Sequence, residues 1–164
     1  MSSGAVCCPG CGVYFGPITT DDLAVMQQVG VDEFRRFVAN SRYAVYSDRL
    51  VLIALCQGAA QHYYGGGNGV KDVDLWLFFE EHPLVKIPHR GNCKRSMSVT
   101  FPAMGVRRVD LMKKMIPAKF VVPGDPVKTV RSYLTGSQNA TPVHLSRKPV
   151  LGLYPGSWFL LRVL

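Results

Sequence analysis

The chain has 164 residues, with 19 Lys+Arg against 11 Asp+Glu and a formal net charge of +8. Hydrophobic residues make up 48% and charged residues only 18%, which excludes a disordered polyelectrolyte and a heptad coiled coil. The length suits one domain, and the basic surplus points to polyanionic company such as nucleic acid, nucleotide or a membrane surface.

Residues 1–18 are rich in Gly, Ser, Cys and Pro and read as an irregular tail, with a single domain expected over 19–164. The first residues lack the basic and apolar regions of a signal peptide. No stretch is as long and apolar as a membrane span. A cytoplasmic protein without a membrane partner is expected. Five cysteines without an export signal argue against a disulfide framework. Cys8-Pro9-Gly10-Cys11 has the spacing of a zinc knuckle, but a structural zinc site needs four ligands. No second pair follows, so Cys7, Cys93 or a histidine would have to complete it.

Thr20-Asp21-Asp22 is a helix-start signal, and a helix is predicted through Leu23, Val25 and Met26. Gly30 is expected to break it. Val31 to Asn40 resumes, with Phe34, Phe37 and Val38 on one face and Arg35 and Arg36 on a solvated one. Leu50 to Cys56 reads as a buried strand, Ala59 to Tyr64 as a short helix, and Gly65 to Gly69 as a flexible loop. Val70 to Phe79 alternates as a strand, with Asp72, Asp74, Trp76 and Phe78 on one face. Residues 82–105 read mostly as loop. Val106 to Ile116 is a further strand carrying Asp110. Asp125 caps a helix whose first position is Pro126, running Val127 to Leu134 and stopping at Gly136. Pro149 to Tyr154 forms a last short strand or turn. The pattern predicts an α/β (α+β) domain, a small mixed β-sheet flanked by helices.

Acids are scarce, so an acid inside an apolar strand needs a reason. Asp72 and Asp74 lie two apart and project from one face. Two such carboxylates repel unless a cation lies between them, and hard oxygen ligands favour magnesium or manganese. Asp110, between Val109 and Leu111, is the third acid of a two-metal arrangement. The preceding glycine-rich loop lets backbone N–H groups and Lys71 approach phosphates. Of the basic residues near the acids in sequence, Lys71, Arg90, Lys94, Arg95, Arg107 and Arg108, some would hold phosphates or an RNA acceptor. Arg107 and Arg108 point to opposite faces. The four histidines show no ligand spacing. Trp76, in register with the acids, reads as a core residue that could also stack on a base.

Cys56-Gln57-Gly58-Ala59-Ala60, the loop, then Asp72-Val73-Asp74-Leu75, with Asp110 in Arg-Arg-Val-Asp-Leu, together resemble the DNA polymerase beta-like nucleotidyltransferase superfamily. The stretch Asn68 to Trp76, Asp125-Pro126-Val127 and Lys148-Pro149-Val150 are similar to a minimal bacterial branch of it. The resemblance covers about residues 50–155. It implies that Asp72 and Asp74 bind two magnesium ions and that Asp110 helps activate an acceptor hydroxyl. It also implies that Gly58 and position 59 serve the nucleotide, beside Lys71 from the loop. The family usually has Ser or Gly where this chain has Ala59, so the backbone N–H would have to serve there.

The function expected is metal-dependent transfer of a nucleoside monophosphate from an NTP to a hydroxyl of protein, RNA or a small molecule. The alternative is a catalytically degenerate protein of that fold, binding nucleotide, RNA or a partner protein. A zinc-knuckle nucleic-acid binder is the third reading.

Overall fold

The structure, a computed structural model, describes residues 10–88, 94–156 and 159–161. Six strands form one mixed sheet flanked by helices. They are β1 (Leu50–Cys56), β2 (Asp72–Glu80), β3 (Lys94–Phe101), β4 (Gly105–Ile116), β5 (Val150–Tyr154) and β6 (Phe159–Leu161), in the order β3-β4-β2-β1-β5-β6. Only β2 and β4 run parallel; all other neighbours are antiparallel. Among the described residues no helix is long and apolar enough to cross a membrane.

Helix α1 (Thr20–Ala39) starts at a capping box: Thr19 accepts from the Asp22 backbone N–H, and Asp22 accepts from that of Thr19. The other Asp22 oxygen accepts from the Ala103 N–H at 2.9 Å, tying the helix to the β3–β4 turn. Gly30 does not break the helix. It is buried in the helix interior, where a Cβ would stand 2.6 Å from Ile53 Cγ2. The glycine lets α1 lie close on β1, and this packing overrides its poor helix propensity.

The α1 face of the sheet is apolar. Val73, Leu75, Val109 and Leu111 pack with Leu23 and Met26, while Leu77 and Phe79 pack with Phe37 and Tyr46. Helix α2 (Gln57–Gly65) adds Ala59 and Ala60 on this side. A buried ion pair, Glu33 with Lys113, sits inside it. Glu33, only 2% exposed, accepts from Lys113 Nζ at 2.6 Å, Arg36 Nη2 at 2.7 Å and Arg95 Nη1 at 2.9 Å. Burial pushes its carboxyl up, but these three cations outweigh it and hold the pKa at about 2. Arg36, placed on a solvated face by its spacing, is therefore half of an ion pair.

On the opposite face, α3 (Pro126–Gly136) and α4 (Ala140–Leu145) bring Val130, Tyr133, Leu134 and Leu145 onto Leu52, Ala54, Phe78 and Ile116. Asp125 caps α3 through the Lys128 N–H at 2.9 Å, and Pro126 opens it. These helices cover the β1 and β5 side. Toward β3 the same face is open, and Lys94, Ser96, Ser98 and Arg108 are exposed there.

One element departs from the sequence reading, and two more lie where it assigned none. Lys94–Phe101 is a strand within the stretch read as loop: Met97, Val99 and Phe101 turn to the α1 core, and Ser96, Ser98 and Thr100 to the open face. Ala140–Leu145 is helical, and Ser41–Tyr46 forms 3-10 turns. Within the segment read as tail, Tyr14 pairs with Val70 in an isolated bridge, and Tyr14 and Ile18 are buried in the core. His62 lies behind them. Its Nε2 contacts the Gly16 carbonyl at 2.7 Å, and its Nδ1 accepts from the Gly69 N–H at 3.1 Å. The Nδ1 bond fixes the tautomer, so Nε2 carries the proton and donates to Gly16.

Candidate functional site

The parallel ladder between β2 and β4 sets the site. Asp72 pairs with Arg108, Asp74 with Asp110 and Trp76 with Met112. Residues paired across a ladder share a face, so Asp72, Asp74 and Asp110 all project from the face opposite α1. On the other side of β2, Asp74 pairs with Cys56, the last residue of β1 and the N-cap of α2. Asp74 therefore stands where α2 begins, with Asp72 and Asp110 on the same face of the sheet. Gln57 has φ 61, a left-handed conformation that turns the chain abruptly from strand to helix. The first N–H groups of α2, at Gln57, Gly58 and Ala59, lie at a helix start that no side chain caps. Such groups suit a phosphate.

The acids differ in their partners. Asp110 Oδ1 accepts from the Ser96 hydroxyl and from Arg108 Nε at 2.9 Å. Its Oδ2 faces Lys94 Nζ at 3.0 Å and Arg108 Nη2 at 3.3 Å. Burial pushes the Asp110 carboxyl up, but Ser96, Lys94 and Arg108 bring it below the ordinary range. Among the described residues Asp72 and Asp74 have no hydrogen-bond or ion-pair partner. Asp74 is raised by burial first, then by the negative charges of Asp110 and Asp72; Lys94 and Lys148 offset this in part.

The donor set is what a hard divalent cation takes: carboxylate oxygens gathered on one face, two of them without a counter-ion. Asp72, Asp74 and Asp110 are the residues of that chemistry on this face. Among the described residues no three His, Cys, Asp or Glu side chains are drawn close enough to form a finished metal site, and both Asp110 oxygens face cations.

The other residues named from sequence fall as follows. Gly58 is the second residue of α2, and its carbonyl accepts from Asn68 Nδ2 at 2.9 Å, which folds the glycine-rich loop back on the helix start. Ala59 is 1% exposed in the α1-side core and presents no side chain to the open face. Lys71 is exposed just before β2. Of the paired arginines, Arg108 reaches Asp110, while Arg107 donates to the Met104 carbonyl and lies over the Tyr14 ring. Arg95 faces Glu33 on the far side of the sheet. Trp76 is half-buried beside Phe78 against the α3 cluster, and its buried indole N–H has no partner among the described residues. Cys7, Cys8, Arg90 and Cys93 lie outside the described residues, and Cys11 is exposed.

Ser96 escaped the sequence reading, which named Lys148 only within Lys148-Pro149-Val150 and not beside the acids. Ser96 could have been found from the Ser-Met-Ser-Val-Thr-Phe alternation, which marks a half-exposed strand. Lys148 acts on Asp74 only because β5 folds back beside β1. No family model, no curated protein and no solved structure matches this chain.

Proposed function

We propose that this chain is a metal-dependent nucleotidyltransferase of the cytoplasm. The observation that carries the reading is the Asp74–Asp110 register, with Asp72 on the same face and the start of α2 alongside. Asp72, Asp74 and Asp110 would hold magnesium or manganese, and the bound ion would supply charge neutralisation to the triphosphate. The N–H groups of Gly58 and Ala59 would bind phosphate oxygens. The acceptor's hydroxyl oxygen forms a bond to the α-phosphorus, and the bond from that phosphorus to the bridging oxygen breaks. Pyrophosphate leaves with that electron pair, and the hydroxyl proton passes to the carboxylate of Asp110.

A second reading is supported by two features: Ala59 offers no hydroxyl, and cations engage both oxygens of Asp110. It is a protein of the same fold that binds nucleotide, RNA or a partner protein without turnover. Incubation with α-labelled NTPs, magnesium or manganese, and hydroxyl acceptors (the protein itself, total RNA, an aminoglycoside) separates the two. Transfer of label with release of pyrophosphate, lost in Asp72→Asn and Asp74→Asn, supports the enzyme. Nucleotide binding without transfer supports the second reading. Equal transfer by wild type and both variants removes the site assignment.

A further inference from the structure

Asp110 is braced by Lys94 and Arg108, whose side chains are nevertheless 46% and 55% exposed. Both cations reach solvent on the open face while holding a carboxylate. Among the described residues the carboxylates of Asp72 and Asp74, beside them, have no hydrogen-bond or ion-pair partner of their own. The cluster is thus split, with cations bonded to Asp110 and, next to it, carboxylates that Lys94 and Lys148 offset only in part and from a distance. A divalent cation arriving alone meets Lys94 and Arg108 at Asp110. A polyphosphate arriving alone meets the charges of Asp72 and Asp74. A ligand pair carrying both signs satisfies both halves. Guanidinium and ammonium groups form charge-assisted hydrogen bonds to phosphate as readily as to carboxylate, so they can exchange one acceptor for the other.

We propose that Lys94 and Arg108 are the polyphosphate-holding residues of this site, and that they occupy Asp110 until a polyphosphate draws them away. A divalent cation and a polyphosphate then bind with positive coupling, each raising the affinity for the other. Ser96 is a positioning residue, holding Asp110 from β3. The inference rests on the proposed role of the three aspartates.

The test measures Mn2+ binding by electron paramagnetic resonance and tripolyphosphate binding by calorimetry, on wild type, Lys94→Gln, Arg108→Gln and Asp74→Asn. Both cationic side chains are exposed, and thermal melts confirm that the variants remain folded. Arg108→Gln and Lys94→Gln should each raise affinity for Mn2+ alone by roughly tenfold, because Asp110 is released. The same variants should weaken tripolyphosphate binding in the presence of Mn2+ by a similar factor. A purely structural role would not move the two affinities in opposite directions. Mn2+ affinity that stays level or falls in both variants overturns the inference. If Asp74→Asn loses Mn2+ while neither cation variant gains it, only this inference falls. If Asp74→Asn binds Mn2+ like wild type, the proposed function falls and takes this inference with it.

Discussion

Asp74 and Asp110 are partners across the β2–β4 ladder, yet their carboxyls are driven in opposite directions. Asp74 is raised by burial and by its acidic neighbours, while Asp110 is lowered by Ser96, Lys94 and Arg108 despite its burial. An acid held ionised above its preferred range costs folding stability, a pattern of sites kept for function. Asp74→Asn should therefore raise Tm at pH 7 without added metal and, under the proposed function, abolish metal-dependent transfer. Thermal melts and the label-transfer assay check both halves. A lower Tm for Asp74→Asn would show that the acid is not under repulsion.

Glu33 carries an opposite stability signature. Its folded pKa is lowered from 4.5 to about 2, so its contribution is present above about pH 4.5 and is lost as pH falls toward 2. The shift corresponds to about 3 kcal/mol. Glu33→Leu should destabilise by about 3–5 kcal/mol at pH 7, since it leaves Lys113 buried without a counter-ion. It should also flatten the acid limb of a urea-denaturation series. The double variant Glu33→Leu/Lys113→Met should recover most of the loss.

At Gly30, replacement by alanine should destabilise even though alanine is the better helix former. The new Cβ would stand 2.6 Å from Ile53 Cγ2, so α1 must lift from β1. Overpacking costs about 1–3 kcal/mol against a propensity gain of about 1 kcal/mol. A double-mutant cycle with Ile53→Ala, which removes the clashing methyl, should show favourable coupling in denaturant melts.

His62→Ala should free the glycine loop from the segment around Gly16. It deletes the acceptor of the Gly69 N–H and the donor to the Gly16 carbonyl, both buried contacts. Leaving such groups unpaired costs about 1–3 kcal/mol each. Hydrogen exchange should show faster exchange of the Gly69 amide than in wild type, with helix α3 unchanged.

Much of this fold could be read from local pattern. The apolar run Leu50–Cys56 and the alternation after Asp72 placed β1 and β2, and Asp125-Pro126 placed the start of α3. The same alternation put Asp72 and Asp74 on one face. Strand β3 was missed because a half-exposed edge strand carries Lys, Arg, Ser and Thr as a loop does, and Ser96 was missed with it. Glu33 looks like a surface residue on a helix until β4 brings Lys113 beneath it. Gly30 reads as a breaker by propensity and becomes a packing device only once Ile53 is in place. The Glu33 and Gly30 omissions concern contacts between residues distant in sequence, which composition and periodicity do not encode.

The β2–β4 ladder also makes the site intolerant of frameshifts within the sheet. Nine successive pairs, from Asp72–Arg108 to Glu80–Ile116, lock the two strands side by side. A single residue inserted early in β4 would reverse the facing of every later side chain. Asp110 would then enter the oily layer beneath α1, and Val109 or Leu111 would emerge beside Asp74. Length variation in a lineage of such chains should therefore collect in the segment between β2 and β3, where the crossover absorbs it, and spare the strands themselves.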